Sequence, residues 1–174
     1  MIFTSILREI NQVTKKIDEK EIRNFIKEIK KAKRIFVVGV GRSGLMVKNL
    51  ALRLVRLKKK TFVIGETINP EVKKNDLLIA VSGSGETEAV LSAVKICRVK
   101  GARILGVLAD KNSPLAKLSH CFVLVPAKIP KRLGNQYQLR ELIGVPERSP
   151  TKSLFEVCSL IFFETAVDKL NGKE

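Results

Sequence analysis

The sequence predicts an α/β fold built on a five-stranded parallel sheet of order 2-1-3-4-5, and three observations carry that reading. From Arg34 onward, short continuous apolar runs alternate with longer amphipathic segments, the pattern of buried parallel strands and their covering helices. The stretch from Thr67 to Asn75, between the second and third runs, is too short for a crossover helix, so those two strands are not neighbours. The two most glycine-rich segments each follow a strand run and precede a helical one, where open parallel sheets bind their ligands.

Two helices come first, within residues 1–32: Ile2, Ile6, Ile10 and Val13 share one face, and Ile22, Phe25, Ile26 and Ile29 share another. The sheet and its helices then fill residues 34–126. RIFVVGV (34–40) reads as a strand, SGLMVKNLALRLVRL (43–57) as a helix, and TFVIG (61–65) and DLLIAVSG (76–83) as strands. TEAVLSAVKICRVK (87–100) reads as a helix, and ARILGVLA (102–109) and CFVLVP (121–126) as strands. Placing strand two at an edge and strand three beyond strand one satisfies the short link and gives a flavodoxin-like three-layer αβα sandwich. A long loop (127–149) and a C-terminal helix (151–170) complete a single domain of 1–174, a size that suits one hydrophobic core.

Composition narrows the function classes. Hydrophobic residues at 45% and charged residues at 29% are a globular balance, and the longest apolar run falls well short of the ~18 residues that span a membrane. The N-terminal MIFTSILREINQ lacks the basic and apolar regions of a secretion signal, which predicts a cytoplasmic protein. Cys97, Cys121 and Cys158 are widely spaced, with one histidine to join them, and predict buried thiols rather than disulfides or a metal site. Net charge is +16, and residues 1–60 supply most of it, with 17 Lys or Arg against 5 Asp or Glu. Such a field attracts anions, whether nucleic acid, acidic partners or a phosphorylated metabolite. Eight Phe, one Tyr and no Trp, without basic-aromatic interleaving, argue against a nucleic-acid reader that stacks bases. The lysine-rich composition leans towards a thermophile.

Strand one ends in Gly39-Val40-Gly41-Arg42-Ser43-Gly44 and strand three in Ser82-Gly83-Ser84-Gly85-Glu86-Thr87, so the predicted topology sets both loops at its switch point. Glycines there let the backbone approach an anion, the hydroxyls of Ser82, Ser84 and Thr87 offer hydrogen bonds, and the next helix presents its free amides. A phosphate monoester fits that set. A plain strand-to-helix turn with one Ser cap is the alternative, and it explains one hydroxyl rather than three. Gly39, Gly41 and Gly44 also have GxGxxG spacing, with Glu66 near the end of strand two. The Arg42-Ser43 pair in the gap and the lack of a second half or substrate domain argue against a dinucleotide.

These segments, with Gly65-Glu66-Thr67, Pro70 and Asp76-Leu77-Leu78-Ile79, resemble the sugar isomerase (SIS) domain family, and within it the archaeal and bacterial 6-phospho-3-hexuloisomerases. The resemblance runs from about residue 5 to residue 170 and is strongest from Arg34 to Ala109. It implies a phosphosugar whose phosphate sits on Ser82, Ser84 and Thr87, close to Gly41, Arg42, Ser43, Gly83 and Gly85. It also implies a carbonyl shift through an enediolate, with no metal or organic cofactor, and homodimers or homotetramers. Glu156 matches the acidic residue of the family's Gly-Thr-x-Phe-Glu helix start, which makes it the candidate base; a glutamate that merely favours the helix dipole is the other reading. Glu66 is a second carboxylate candidate, and Arg42 a candidate for holding substrate.

His120 lies at the amino end of strand five, facing away from the crevice. Pro150-Thr151-Lys152-Ser153 departs from the family's Pro-x-Gly-Thr, and Lys128–Ser149 is longer than the usual link. Apolar residues of the terminal helices, among them Ile2, Phe3, Ile6, Phe162 and Phe163, exceed what a domain of this size buries and predict packing against another subunit. A non-catalytic sugar-phosphate sensor and a nucleic-acid binder remain as functions of other classes.

Overall fold

A computed structural model of the chain describes residues 2–129 and 153–172. In order, its elements are α1 (Ile2–Thr14), α2 (Glu19–Lys31), β1 (Arg34–Val38), α3 (Gly41–Arg56), β2 (Lys60–Val63), β3 (Leu77–Val81), α4 (Glu88–Val99), β4 (Arg103–Leu108), α5 (Pro114–Leu118), β5 (Cys121–Leu124) and α6 (Leu154–Leu170). Most of the predicted long loop, and the Pro150-Thr151-Lys152 departure, lie outside the described residues.

The five strands are parallel throughout and ordered β2-β1-β3-β4-β5, as the short link requires. β1 aligns Val38 with Ala80 of β3, so the two glycine-rich loops leave the sheet side by side. Alternation along each strand divides the core. Ile35, Val37, Leu77, Ile79 and Val107 face a layer made by α2, α3 and α6, whereas Phe36, Val38, Leu78, Ala80 and Ile104 face α4 and α5. This is the expected three-layer sandwich.

Local chemistry sets the helices. Asp18 caps α2 by accepting a hydrogen bond from the Lys20 amide at 2.6 Å, and Glu19 and Glu21 in its first turn with Lys30 and Lys31 in its last suit the helix dipole. α5 is an element the sequence reading did not predict. Ser113 caps it by accepting from the Ala116 amide at 3.3 Å, and Pro114 opens it.

One expectation is corrected at α6. Phe162 and Phe163, expected to await a partner subunit, are 2% and 0% exposed, and both rings pack on Phe25 of α2 at centroid distances of 4.8 and 6.1 Å. Phe3 of α1 does remain 73% exposed. No helix among the described residues is long and apolar enough to cross a membrane.

The amino ends of β1 and β3 are clasped by charge. The buried carboxylate of Asp76 takes two hydrogen bonds from the Arg34 guanidinium and a third, at 2.7 Å, from the Lys73 amide. Removing it leaves the guanidinium with only the Glu71 carbonyl as a hydrogen-bond partner among the described residues and orphans the Lys73 amide. Asp76→Ala is therefore expected to lower unfolding stability by about 3 kcal/mol in urea titrations with an unchanged m-value.

Burial pushes the Cys158 thiol up from 9.0 to about 11. A raised folded value means the native state holds this proton more tightly, so the contribution is intact below pH 9 and is lost as pH rises towards 11. In native protein at neutral pH, Cys158 should resist alkylation until the chain is unfolded, which mass spectrometry of iodoacetamide-treated samples will read.

Candidate functional site

At the carboxyl ends of β1 and β2 the chain leaves a cleft of about 440 Å³, lined by Gly39, Gly41, Gly44, Lys48, Glu66 and Ala89 among others, whereas Ser43, Ser82, Ser84, Thr87 and Glu156 lie outside its lining. Its walls include the first turns of both α3 and α4. Neither helix has a side-chain cap: Val40 precedes α3 and Thr87 precedes α4, and α3 has no acidic residue in its first turn. Two helix N-termini with their partial positive charge therefore border one cleft, the usual means of holding an anion with backbone amides.

The first loop is shaped by close backbone approach. A Cβ on Gly39 would lie 2.9 Å from the Ser43 carbonyl oxygen, so a side chain there would push the start of α3 off the strand. In the second loop, Gly85 sits at φ +64°, and a Cβ there would fall 2.2 Å from the Ser113 hydroxyl. Leu115 donates its amide to the Gly85 carbonyl at 3.0 Å, so the start of α5 braces this loop from behind.

The loop hydroxyls have distinct tasks. Ser82, buried, accepts from the Gly85 amide at 3.1 Å and is hydrogen-bonded to the Thr87 hydroxyl at 2.9 Å. Ser84 is half-buried and accepts from the Glu86 amide at 3.2 Å. These bonds curl the loop so that it turns into α4. Gly83 is packed beneath the side chains of Ile129 and Phe155, which ties the loop to the start of α6.

That start is the most informative part of the site. Ser153 occupies the N-cap of α6 and Glu156 stands three residues on, a spacing that commonly gives a reciprocal capping box. Here the Ser153 hydroxyl makes no cap bond and accepts instead from Arg42 Nη1 at 3.2 Å. The Ser43 hydroxyl donates to Glu156 Oε1 at 3.3 Å. Consecutive residues of the first loop thus clasp the beginning of α6 and hold its carboxylate over the N-terminus of α3.

The two candidate carboxylates are not brought together in the same way. Glu66 is exposed on the cleft rim and pairs with Lys48 at 2.7 Å, a surface pair of little energetic weight. Ser43 and Lys48 are about 140° apart around α3, so Glu156 and Glu66 meet that helix from different sides.

His120 lies at the opposite end of the sheet, where its Nδ1 accepts from the Ile104 amide at 2.9 Å. Its pKa is lowered by burial first, then by Arg103 and Arg98. Among the described residues no cluster of His, Cys, Asp or Glu is suited to hold a metal ion.

Sequence reasoning missed Ser113 and Phe155 as supports of the second loop, and Ser153 as the partner of Arg42. The Ser113-Pro114 pair, a helix-start signature, was the signal for the first of these.

The profile of the SIS domain family matches residues 28–138, which takes in both loops and all five strands. This chain belongs to the SIS domain family. A protein of Aeropyrum pernix is 32% identical over 170 residues, covering 95% of this SIS chain and 78% of its own length. The 3-hexulose-6-phosphate isomerase of Methylomonas aminofaciens is 28% identical over 170 residues, covering 98% of this chain and 86% of the enzyme. Among solved structures, a Methanococcus jannaschii protein inferred to be a 3-hexulose-6-phosphate isomerase superposes with a TM-score of 0.77 at 29% identity. That match covers 96% of this chain and 87% of the other.

Gly85 offers a direct check of the loop geometry. Gly85→Ala combines an unfavourable φ with an overlap against Ser113, and is expected to cost about 2 kcal/mol or more in urea unfolding. Adding Ser113→Gly should recover part of that loss, because the overlapping atoms are gone.

Proposed function

We propose that this SIS domain is a phosphosugar isomerase that moves a carbonyl between neighbouring carbons, interconverting hex-3-ulose 6-phosphate and fructose 6-phosphate. The observation that carries this reading is the placement of Glu156: the Ser43 hydroxyl holds its carboxylate at the start of α3, a helix that follows the first glycine-rich loop and has no side-chain cap.

In this reading the phosphate of the substrate lies on the Ser82–Thr87 loop, and the sugar extends towards Ser43. Phosphate oxygens take the amides at the start of α4, while Ser82 and Thr87 keep the loop in shape. Glu156 removes the proton from the carbon that bears the hydroxyl next to the carbonyl. The electron pair of that C–H bond becomes the C=C bond of an enediolate, and the former carbonyl oxygen takes up the negative charge. Ser43 and the amides at the start of α3 stabilise that oxygen. Glu156 then returns the proton to the other carbon, and the hydroxyl proton passes between the two oxygens. The sequence is redox-neutral, so it consumes no nicotinamide. Arg42, by holding Ser153, keeps α6 in register with α3. Self-association through exposed apolar residues such as Phe3 and Leu7 of α1 and Ile161 of α6 belongs to the same reading.

The test is a panel of sugar phosphates, including hex-3-ulose 6-phosphate, fructose 6-phosphate and arabinose 5-phosphate, followed by NMR with wild type and Glu156→Gln. Turnover of the hexulose pair in wild type, reduced about a thousandfold or more in Glu156→Gln with binding retained, is the expected result. Binding of a phosphosugar without turnover by wild type would replace this reading with a sensor, and absence of any binding would overturn the phosphate site.

A further inference from the structure

The end of the sheet opposite the cleft carries a cluster of cations. Eight Lys or Arg side chains, among them Lys31, Lys33, Lys58, Lys60 and Lys74, line one concavity of about 880 Å³. Parallel topology gathers them: the links that enter β1, β2 and β3 all arrive at this end, and each carries one or more lysines within four residues of its strand. The one carboxylate in the lining, Asp76, is already bonded to Arg34 and the Lys73 amide. Lys31, Lys33, Lys58, Lys60 and Lys74 are exposed, and no carboxylate pairs with them among the described residues.

Folding alone does not account for this arrangement. The C-terminal dipoles of α2 and α3 favour cations in their last turns, but Lys73 and Lys74 precede a strand, and Lys33 and Lys60 lie beyond those turns. Lys58 adopts φ +60° and Asn75 φ +69°, the two left-handed non-glycine residues among those described, and both belong to this concavity. At Lys58 a glycine would avoid a cost of about 1 kcal/mol, yet the chain keeps a cation there.

We propose that this face binds the phosphate backbone of double-stranded nucleic acid, independently of any phosphosugar in the cleft at the other end of the strands. A single phosphate monoester is satisfied by two or three donors, whereas a surface of seven lysines, with Arg34 already paired to Asp76, matches a polymer with closely spaced charges. A second copy of this chain supplies no complementary field, because it carries 33 Lys or Arg against 17 Asp or Glu. No aromatic residue lines the concavity, so it has no platform for unstacked bases, which favours a duplex over a single strand. Sparse aromatics argue against base stacking, and they leave backbone contact open. Lysines act on phosphates as point charges, so the binding is independent of sequence.

Fluorescence anisotropy of a labelled random-sequence DNA duplex, titrated with the full chain over a potassium chloride series, tests the proposal. Wild type should bind with a steep salt dependence. Lys60→Gln/Lys74→Gln should bind about tenfold or more weakly at moderate salt, with the log–log salt slope smaller by about 2. Lys95→Gln/Lys117→Gln, which removes the same charge from α4 and α5, should stay within about twofold of wild type. Circular dichroism confirms that both variants are folded. Three results would each overturn the proposal: no binding at low salt, equal losses in the two double variants, or tighter binding of poly-glutamate than of the duplex at matched charge, which would point to an acidic protein.

Discussion

Parallel strands cannot be joined by a tight turn, and the chain between β2 and β3 contains no helix to carry it back across the sheet. β3 must therefore pair on the free side of β1, with β2 left at the edge. Much of the molecule depends on that constraint. It sends the chain in opposite directions from β1, so that the loops after β1 and β3 leave the sheet as neighbours with an open crevice beside them. It also stacks the entering links of β1, β2 and β3 at the other end, which is how lysines scattered through the sequence become one surface.

At the start of α6, side chains that could cap the helix are given to α3 instead. Ser153 and Glu156 have the spacing to satisfy the first amides of α6, yet the Ser153 hydroxyl is given to Arg42, and Glu156 receives the Ser43 hydroxyl. Helix α6 remains in place because Phe155, Phe162 and Phe163 are buried in the core. The hydrophobic anchoring of that helix frees its first polar residues to face α3. Glu28 is a buried carboxylate used differently: it is bonded to Arg103 at the amino end of the sheet, where it serves the framework rather than the crevice.

The fold was legible in the sequence because its two determinants are local: the apolar runs that mark strands, and the brevity of the Thr67–Asn75 link. Helix α5 escaped because five residues are too few to show a period, although Ser113-Pro114 announced its start. The glycine loops were legible because their chemistry lies in consecutive residues. The clasp between Arg42 and Ser153 was not, since its partners are 111 positions apart and nothing in either neighbourhood names the other. Phe162 and Phe163 misled for a related reason. α6 is apolar almost all the way round, and periodicity cannot say which of its sides a neighbouring helix will cover.

The proposed binding of an anion between the starts of α3 and α4 is tested most directly by amide chemical shifts of isotope-labelled protein titrated with fructose 6-phosphate. It predicts that shifts concentrate in residues 41–44, 82–89 and 153–156, with the amino-end lysines little changed. Shifts centred on residues 31–34, 58–60 and 73–76, with the glycine loops silent, would contradict it.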